Sequence, residues 1–141
     1  YFTDPRYGNA DNVEQPVMGV YYVNKAGEVR RVIDTLPRPN GILVSPDGKT
    51  LIVANPDARE IRAFAITGPG QLADGKVLFT GEQEQDGNGP DGMAHDAEGR
   101  IYATYKSIVV LKADGTLVGR IPVPEKPANC KFGGKDGRTL F

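Results

Sequence analysis

One block of the sequence occurs three times, and each copy opens on a proline followed within two positions by an oxygen-bearing side chain. Residues 39–55 read PNGILVSPDGKTLIVAN, residues 90–104 read PDGMAHDAEGRIYAT, and residues 127–141 read PANCKFGGKDGRTLF. The copies start at 39, 90 and 127, so they lie 51 and 37 residues apart, the interval of stacked or radially arranged supersecondary units. A chain organised this way repeats one small packing solution. The register makes Asn40, Asp91 and Asn129 equivalent, and three side-chain oxygens are expected to face a common centre.

The segments around the repeats are short apolar runs separated by Gly, Pro, Asn and Asp clusters, with no window of helical periodicity. The 18 glycines and 11 prolines point the same way, toward an all-β chain rich in turns. Strands are expected at residues 1–3, 19–23 and 28–34, with a turn at Asn24 to Gly27 joining the last two. Four more are expected at 42–45, 51–54, 61–66 and 77–80, and another four at 93–95, 101–104, 108–112 and 117–121. The grouping predicts most of one unit in 1–36, complete units in 39–80 and 90–123, and the start of a further unit in 127–141.

Four-stranded antiparallel units at this spacing predict a β-propeller, whose blades pack face to face around a channel. A β-sandwich is the alternative, since it also uses short strands, but it does not require a repeated motif. Both ends of the sequence fall in strand-like residues, so both are expected to cut through strands, and the lack of a leader-like segment says nothing about compartment. Unpaired blade faces and edges would favour self-association.

The charge balance excludes several partners. With 17 basic and 18 acidic residues spread along the chain, there is no electrostatic footprint for nucleic acid or an anionic membrane surface. No apolar run reaches the roughly 20 residues that span a bilayer as a helix. The single cysteine, Cys130, forms no intrachain disulfide or C-x-x-C site and reads as a small buried hydrophobe. No G-x-S-x-G, Walker or dinucleotide fingerprint is present.

In a propeller the first strand of each blade lies next to the axis, so the residues just before it gather at one channel mouth. Asn-Gly and Asp-Gly are ordinary turn dipeptides singly; recurrence at equivalent positions is what singles out Asn40 and Asp91. Amide and carboxylate oxygens are hard donors suited to Ca²⁺ or Mg²⁺, and no His or Cys cluster competes with them. His95, inside the strand that follows Asp91, is a channel-lining candidate, although a core or solvent-facing position explains it more simply. Arg30 and Arg31 read as a solvated outer strand, and of the adjacent Tyr21 and Tyr22 one is expected in the core.

Four strings carry a resemblance: YFTDPRYG at 1–8, GVYYV at 19–23, and the blocks at 39–55 and 90–104. In this order and spacing they resemble the gluconolactonase and senescence-marker-protein (regucalcin-like) family of six-bladed propellers, over essentially the whole chain. The resemblance implies about half of such a propeller. It also implies one divalent metal at the channel mouth, most readily Ca²⁺ with Mg²⁺ or Zn²⁺ as alternatives, held by a glutamate, two asparagines and an aspartate. Asn40 matches the asparagine of the P-N-G motif and Asp91 the aspartate of the P-D-G motif; the remaining asparagine and glutamate would fall before Tyr1. Asn129 matches a channel-lining position.

The implied activity is hydrolysis of small-molecule sugar lactones, with the metal polarising the carbonyl and Asp91 as general base. Those two roles of Asp91 oppose each other, since a cation weakens the proton affinity of the carboxylate it binds. With half the implied ligands outside the sequence, these residues alone are expected to bind metal weakly. A calcium-dependent phosphotriester hydrolase and a non-enzymatic binding platform remain open beside the lactonase.

Overall fold

The computed structural model describes residues 1–8, 13–81 and 89–141. Fourteen strands in these residues form separate antiparallel sheets in chain order. The first sheet contains β1 (Phe2–Asp4), β2 (Gly19–Val23) and β3 (Val29–Ile33). The second contains β4 (Ile42–Val44), β5 (Thr50–Asn55) and β6 (Glu60–Gly68), and β6 then pairs with both β7 (Gln71–Leu72) and β8 (Lys76–Thr80). The third is a four-stranded meander of β9 (Met93–His95), β10 (Ile101–Thr104), β11 (Ile108–Leu111) and β12 (Leu117–Ile121). A hairpin of β13 (Phe132–Gly133) and β14 (Thr139–Leu140) follows. Among the described residues the only helical piece is a 3-10 turn at Pro56–Ala58.

Tight turns repeat as regularly as the strands. Between β4 and β5 the N–H of Gly48 donates to the Ser45 carbonyl, and between β9 and β10 that of Gly99 donates to the Asp96 carbonyl. Both glycines have positive φ, 72° and 78°, a conformation that is strained for a residue with a Cβ. An acidic side chain finishes each turn: Asp47 Oδ1 accepts the N–H of Lys49 at 3.1 Å, and Asp96 Oδ1 accepts the N–H groups of Glu98 and Arg100 at 3.0 and 2.9 Å. Asn24 does the same for Ala26 and Glu28 between β2 and β3, where the turn was expected.

The sheets stack on one another through strands that are apolar on both faces. In β5, Ile52 and Ala54 pack with Ile61, Met93, Ile101 and Ala103 against the third sheet, whereas Leu51 and Val53 pack with Val20, Ile33, Leu36 and Phe64 against the first. Alternate residues of a strand point to opposite faces, so a strand buried along its length has a sheet on each side. A two-layer sandwich leaves one face of each sheet to water, whereas here the second sheet is covered on both. The third sheet repeats the pattern, with Ala94 and Ile108 packing against Cys130, Phe132 and Leu140 on its other side. These are propeller-type blades, as expected from the repeat.

Several details differ from the expectations. β6 runs past Ile66 to Gly68 and folds back into β7, a two-residue strand not foreseen, because the Pro69-Gly70 turn reads as a strand end. β1 begins one residue later than expected and includes Asp4, which pairs with Gly19. Tyr21 is the core member of its pair, stacked on Phe2 with ring centroids 5.3 Å apart; Tyr22 is half-buried under the Arg30 guanidinium, and Arg30 and Arg31 are exposed. Cys130 is buried, its Sγ donates to the Tyr102 carbonyl at 3.4 Å, and burial pushes its thiol pKa up.

Asp96 anchors a side-chain network at the turn between β9 and β10. Burial pushes its carboxyl pKa up, but the Arg100 guanidinium at 2.6 Å, the Arg100 N–H and the Tyr102 hydroxyl at 3.2 Å outweigh this and hold it below the ordinary 3.8. A carboxyl with a depressed folded pKa stabilises the fold above its unfolded pKa and loses that contribution as pH falls through the folded value. Asp96→Asn is therefore expected to cost about 1 kcal/mol at pH 7, a figure kept low because Arg100 is part-exposed. In denaturant titrations from pH 7 to 2, the gap to wild type should close at the acid end; a constant gap would assign the loss to turn geometry instead of charge.

Candidate metal and active site

Asn40 and Asp91 are positioned by the same backbone pairing in successive sheets. The N–H of Asn40 donates to the Ala54 carbonyl at 2.9 Å and the N–H of Ala54 returns a bond to Gly41 at 2.8 Å. The N–H of Asp91 donates to Thr104 at 3.0 Å and the N–H of Thr104 returns a bond to Gly92 at 3.1 Å. Asn129 is equivalent by turn register: Ser45, Asp96 and Gly134 each accept the turn N–H of the glycine three residues later, and each stands five residues after Asn40, Asp91 and Asn129 respectively. The buried prolines Pro39 and Pro90 fix φ immediately before the first two motifs.

The glycine after each motif residue is where neighbouring blades meet. A Cβ on Gly41 would collide with the Asp91 carbonyl oxygen, and one on Gly92 would collide with the Asn129 side chain. This contact brings Asn40 and Asp91 together although 51 residues separate them: Asn40 Nδ2 donates to Asp91 Oδ1 at 2.7 Å. Asn40 is held on two further sides, where its Nδ2 donates to the Tyr7 hydroxyl at 2.7 Å and its carbonyl accepts from the Thr3 hydroxyl at 2.6 Å. Tyr7 and Thr3 lie in the YFTDPRYG string, where nothing local marks them, since their contacts depend on how the first sheet stacks on the second.

Asn40 and Asp91 open into a cleft of about 350 Å³ that is also lined by Tyr7, Arg38, Asp57 and Arg59. The guanidinium carbon of Arg38 sits 5.7 Å from the Tyr7 ring centroid, and its Nη2 is 3.4 Å from Asp57. Behind the motif, the buried Thr104 hydroxyl donates to the Gly92 carbonyl at 2.9 Å. Asn129 packs against Gly92 without bonding to the pair, and His95 lies away from it. Asn129 Oδ1 accepts the N–H of Cys130 at 2.8 Å, and among the described residues no hydrogen bond joins it to Asn40 or Asp91. His95 lies at the far end of β9, its Nδ1 3.3 Å from the Asp96 carbonyl, lining clefts that share no residue with the Asn40–Asp91 cleft.

An adjacent amide and carboxylate fit half of a hard-cation site. Rotating the Asn40 amide about its last torsion would place two oxygens side by side, an arrangement that is favourable when a cation lies against both. Two protein oxygens fall short of the six to eight ligands that calcium takes. Among the described residues no group of three or more His, Cys, Asp or Glu side chains could hold a metal.

A family model described as the SMP-30/Gluconolactonase/LRE-like region matches residues 1–141. A gluconolactonase of Zymomonas mobilis is 34% identical over the whole chain, which covers 43% of that protein. A solved gluconolactonase from Xanthomonas campestris superposes with a TM-score of 0.85 at 34% identity, over 99% of this chain and 48% of that one. A regucalcin from Agrobacterium tumefaciens, described as calcium-binding, superposes with a TM-score of 0.74 at 26% identity, over 86% of this chain and 42% of that one. The chain thus spans about half the length of these relatives.

The close approach at Gly41 gives a paired expectation. Gly41→Ala must push the Asp91 backbone away and is expected to cost about 1–3 kcal/mol, the usual range for overpacking. Gly119→Ala, whose added Cβ would meet nothing, is expected to be neutral or stabilising by a few tenths. Urea unfolding of the two variants side by side tests this, and equal effects would show that blade contact at Gly41 is not limiting.

Proposed function

The chain belongs to the SMP-30/gluconolactonase/LRE-like family, and from that membership we propose that the whole protein hydrolyses sugar lactones at the Asn40–Asp91 cleft. The observation that carries this is the 2.7 Å pairing of a carboxylate with an amide in an open cleft of small-molecule size. Asp91 acts as general base. Its carboxylate accepts a proton from water as the water oxygen bonds to the lactone carbonyl carbon. The ring C–O bond then breaks, the ring oxygen takes up the proton, and the open-chain hydroxy acid leaves.

The chain's own residues prepare this step by holding Asp91 still. Asn40 anchors one carboxylate oxygen, Tyr7 and Thr3 anchor Asn40, and the Thr104 pairing fixes the backbone beneath. Asn40 and Asp91 would also hold a divalent cation, Ca²⁺ by the hardness of the donors, with further ligands from parts of the protein outside this sequence. When bound, such a cation would supply Lewis acidity toward the lactone carbonyl.

In the full-length protein, Asp91→Asn is expected to lower kcat for an aldonolactone by about 10²- to 10⁴-fold, the usual contribution of a general base. Calcium is expected to raise Tm in wild type and to leave it unchanged in Asn40→Leu. Full turnover in Asp91→Asn would remove it as the base and favour a binding platform; an undiminished calcium response in Asn40→Leu would place the cation elsewhere.

A further inference from the structure

Given the hydrolytic role proposed above, we propose that Arg59 and Arg38 form an anion-binding wall of the Asn40–Asp91 cleft, so that its lactone carries a carboxylate or phosphate remote from the ring carbonyl. Among the described residues that line the cleft, three are basic, Arg38, Arg59 and Lys126, and two are acidic, Asp57 and Asp91. Asp91 is hydrogen-bonded by the uncharged Asn40 amide, and Asp57 pairs with Nη2 of Arg38, whose buried Nε has no hydrogen-bond partner among the described residues. Arg59 forms no ion pair with any described residue.

The backbone at Arg59 is the second, independent observation. Among the described residues it is the only non-glycine with positive φ, 54°, and it ends the Pro56–Ala58 turn. Its N–H donates to the Pro56 carbonyl at 2.9 Å and its carbonyl accepts from Gly81 at 2.8 Å, so the conformation is enforced from both sides. Glycine or asparagine would occupy it at less cost, since the left-handed region strains an L side chain by about 1 kcal/mol or more. An arginine kept in such a place is accounted for when the guanidinium has a ligand.

Arg38 supplies the fixed part of the wall, its guanidinium held by the Tyr7 ring and by Asp57 and its backbone N–H donating to the buried Asn55 amide oxygen at 3.5 Å. Guanidinium groups offer donors only, in a planar fork that matches carboxylate or phosphate oxygens. A sugar lactone with hydroxyls alone asks for donors and acceptors in comparable number. Two arginines on one wall answer a ligand group that only accepts.

The test uses the full-length protein. Turnover is compared for a neutral aldonolactone, its 6-phosphorylated counterpart and an aldarolactone with a free carboxylate, in wild type, Arg59→Gln and Arg59→Gly. Wild type is expected to favour one anionic lactone at least tenfold in kcat/KM, the better of the two identifying phosphate or carboxylate. Both variants should cut that preference about tenfold, although Arg59→Gly also relieves the backbone and should raise Tm. Equal or better use of the neutral lactone, or a preference unchanged in both variants, would overturn the wall.

Calorimetric titration with hexose 6-phosphate, hexuronate and plain hexose separates this from the hydrolytic role. Arg59-dependent binding of an anionic sugar by a protein that opens no lactone would keep the wall and remove the hydrolysis. Lactone turnover with no discrimination between charged and plain sugar would do the reverse.

Discussion

Burial of the second strand of a sheet on both its faces is the constraint from which the rest follows. Leu51, Val53 and Ala54 are fully inaccessible, and they divide between two different apolar clusters, so the second sheet cannot be stable without a sheet on either side. The third sheet is under the same demand, since Val109 and Leu111 join the cluster shared with the second sheet and Ile108 the cluster shared with Cys130, Phe132 and Leu140. Stacking tight enough to exclude water from both faces brings the leading ends of the first strands together. There the absence of a side chain on Gly41 lets the Asp91 backbone approach, and the Asn40 amide reaches the Asp91 carboxylate. The candidate site is thus a product of core packing, and loops contribute only its walls.

The parts of the structure legible in the sequence are those that each blade specifies locally. Asp47-Gly48 and Asp96 to Gly99 announce their turns because acidic side chain and glycine satisfy needs within five residues. Equivalence of Asn40, Asp91 and Asn129 was legible for the same reason, through constant distance to those turns. What the sequence concealed are contacts between blades. Tyr7 meets Asn40 across 33 residues, and nothing in the local string distinguishes it from a surface tyrosine. Arg59 was hidden differently: its conformation contradicts its own propensity, which only the surrounding backbone bonds can impose.

His95 shows how far a strand separates residues that are near in sequence. It stands four residues after Asp91, close enough to suggest a shared site. An extended chain advances about 3.3 Å per residue, so those positions lie roughly 13 Å apart along the strand and reach opposite ends of the sheet. Its neighbours are the turn residues Pro46, Asp47 and Glu98, remote from Asn40. In a blade, equivalence between sheets predicts spatial closeness better than adjacency within one.

The amide–carboxylate pairing also bears on why the proposed site would not be built from carboxylates alone. Two carboxylate oxygens held about 3 Å apart repel by several kcal/mol even at an effective dielectric near 20, and a fold that forces them together must carry that repulsion until a cation arrives. With Asn40 opposite Asp91 there is no such burden: the amide nitrogen donates at 2.7 Å in one orientation and the amide oxygen becomes available in the other. The blade contact at Gly41 can therefore form on packing grounds alone, before any ligand binds. Folding and ligand binding are then uncoupled at a contact where the interblade geometry has little room to yield.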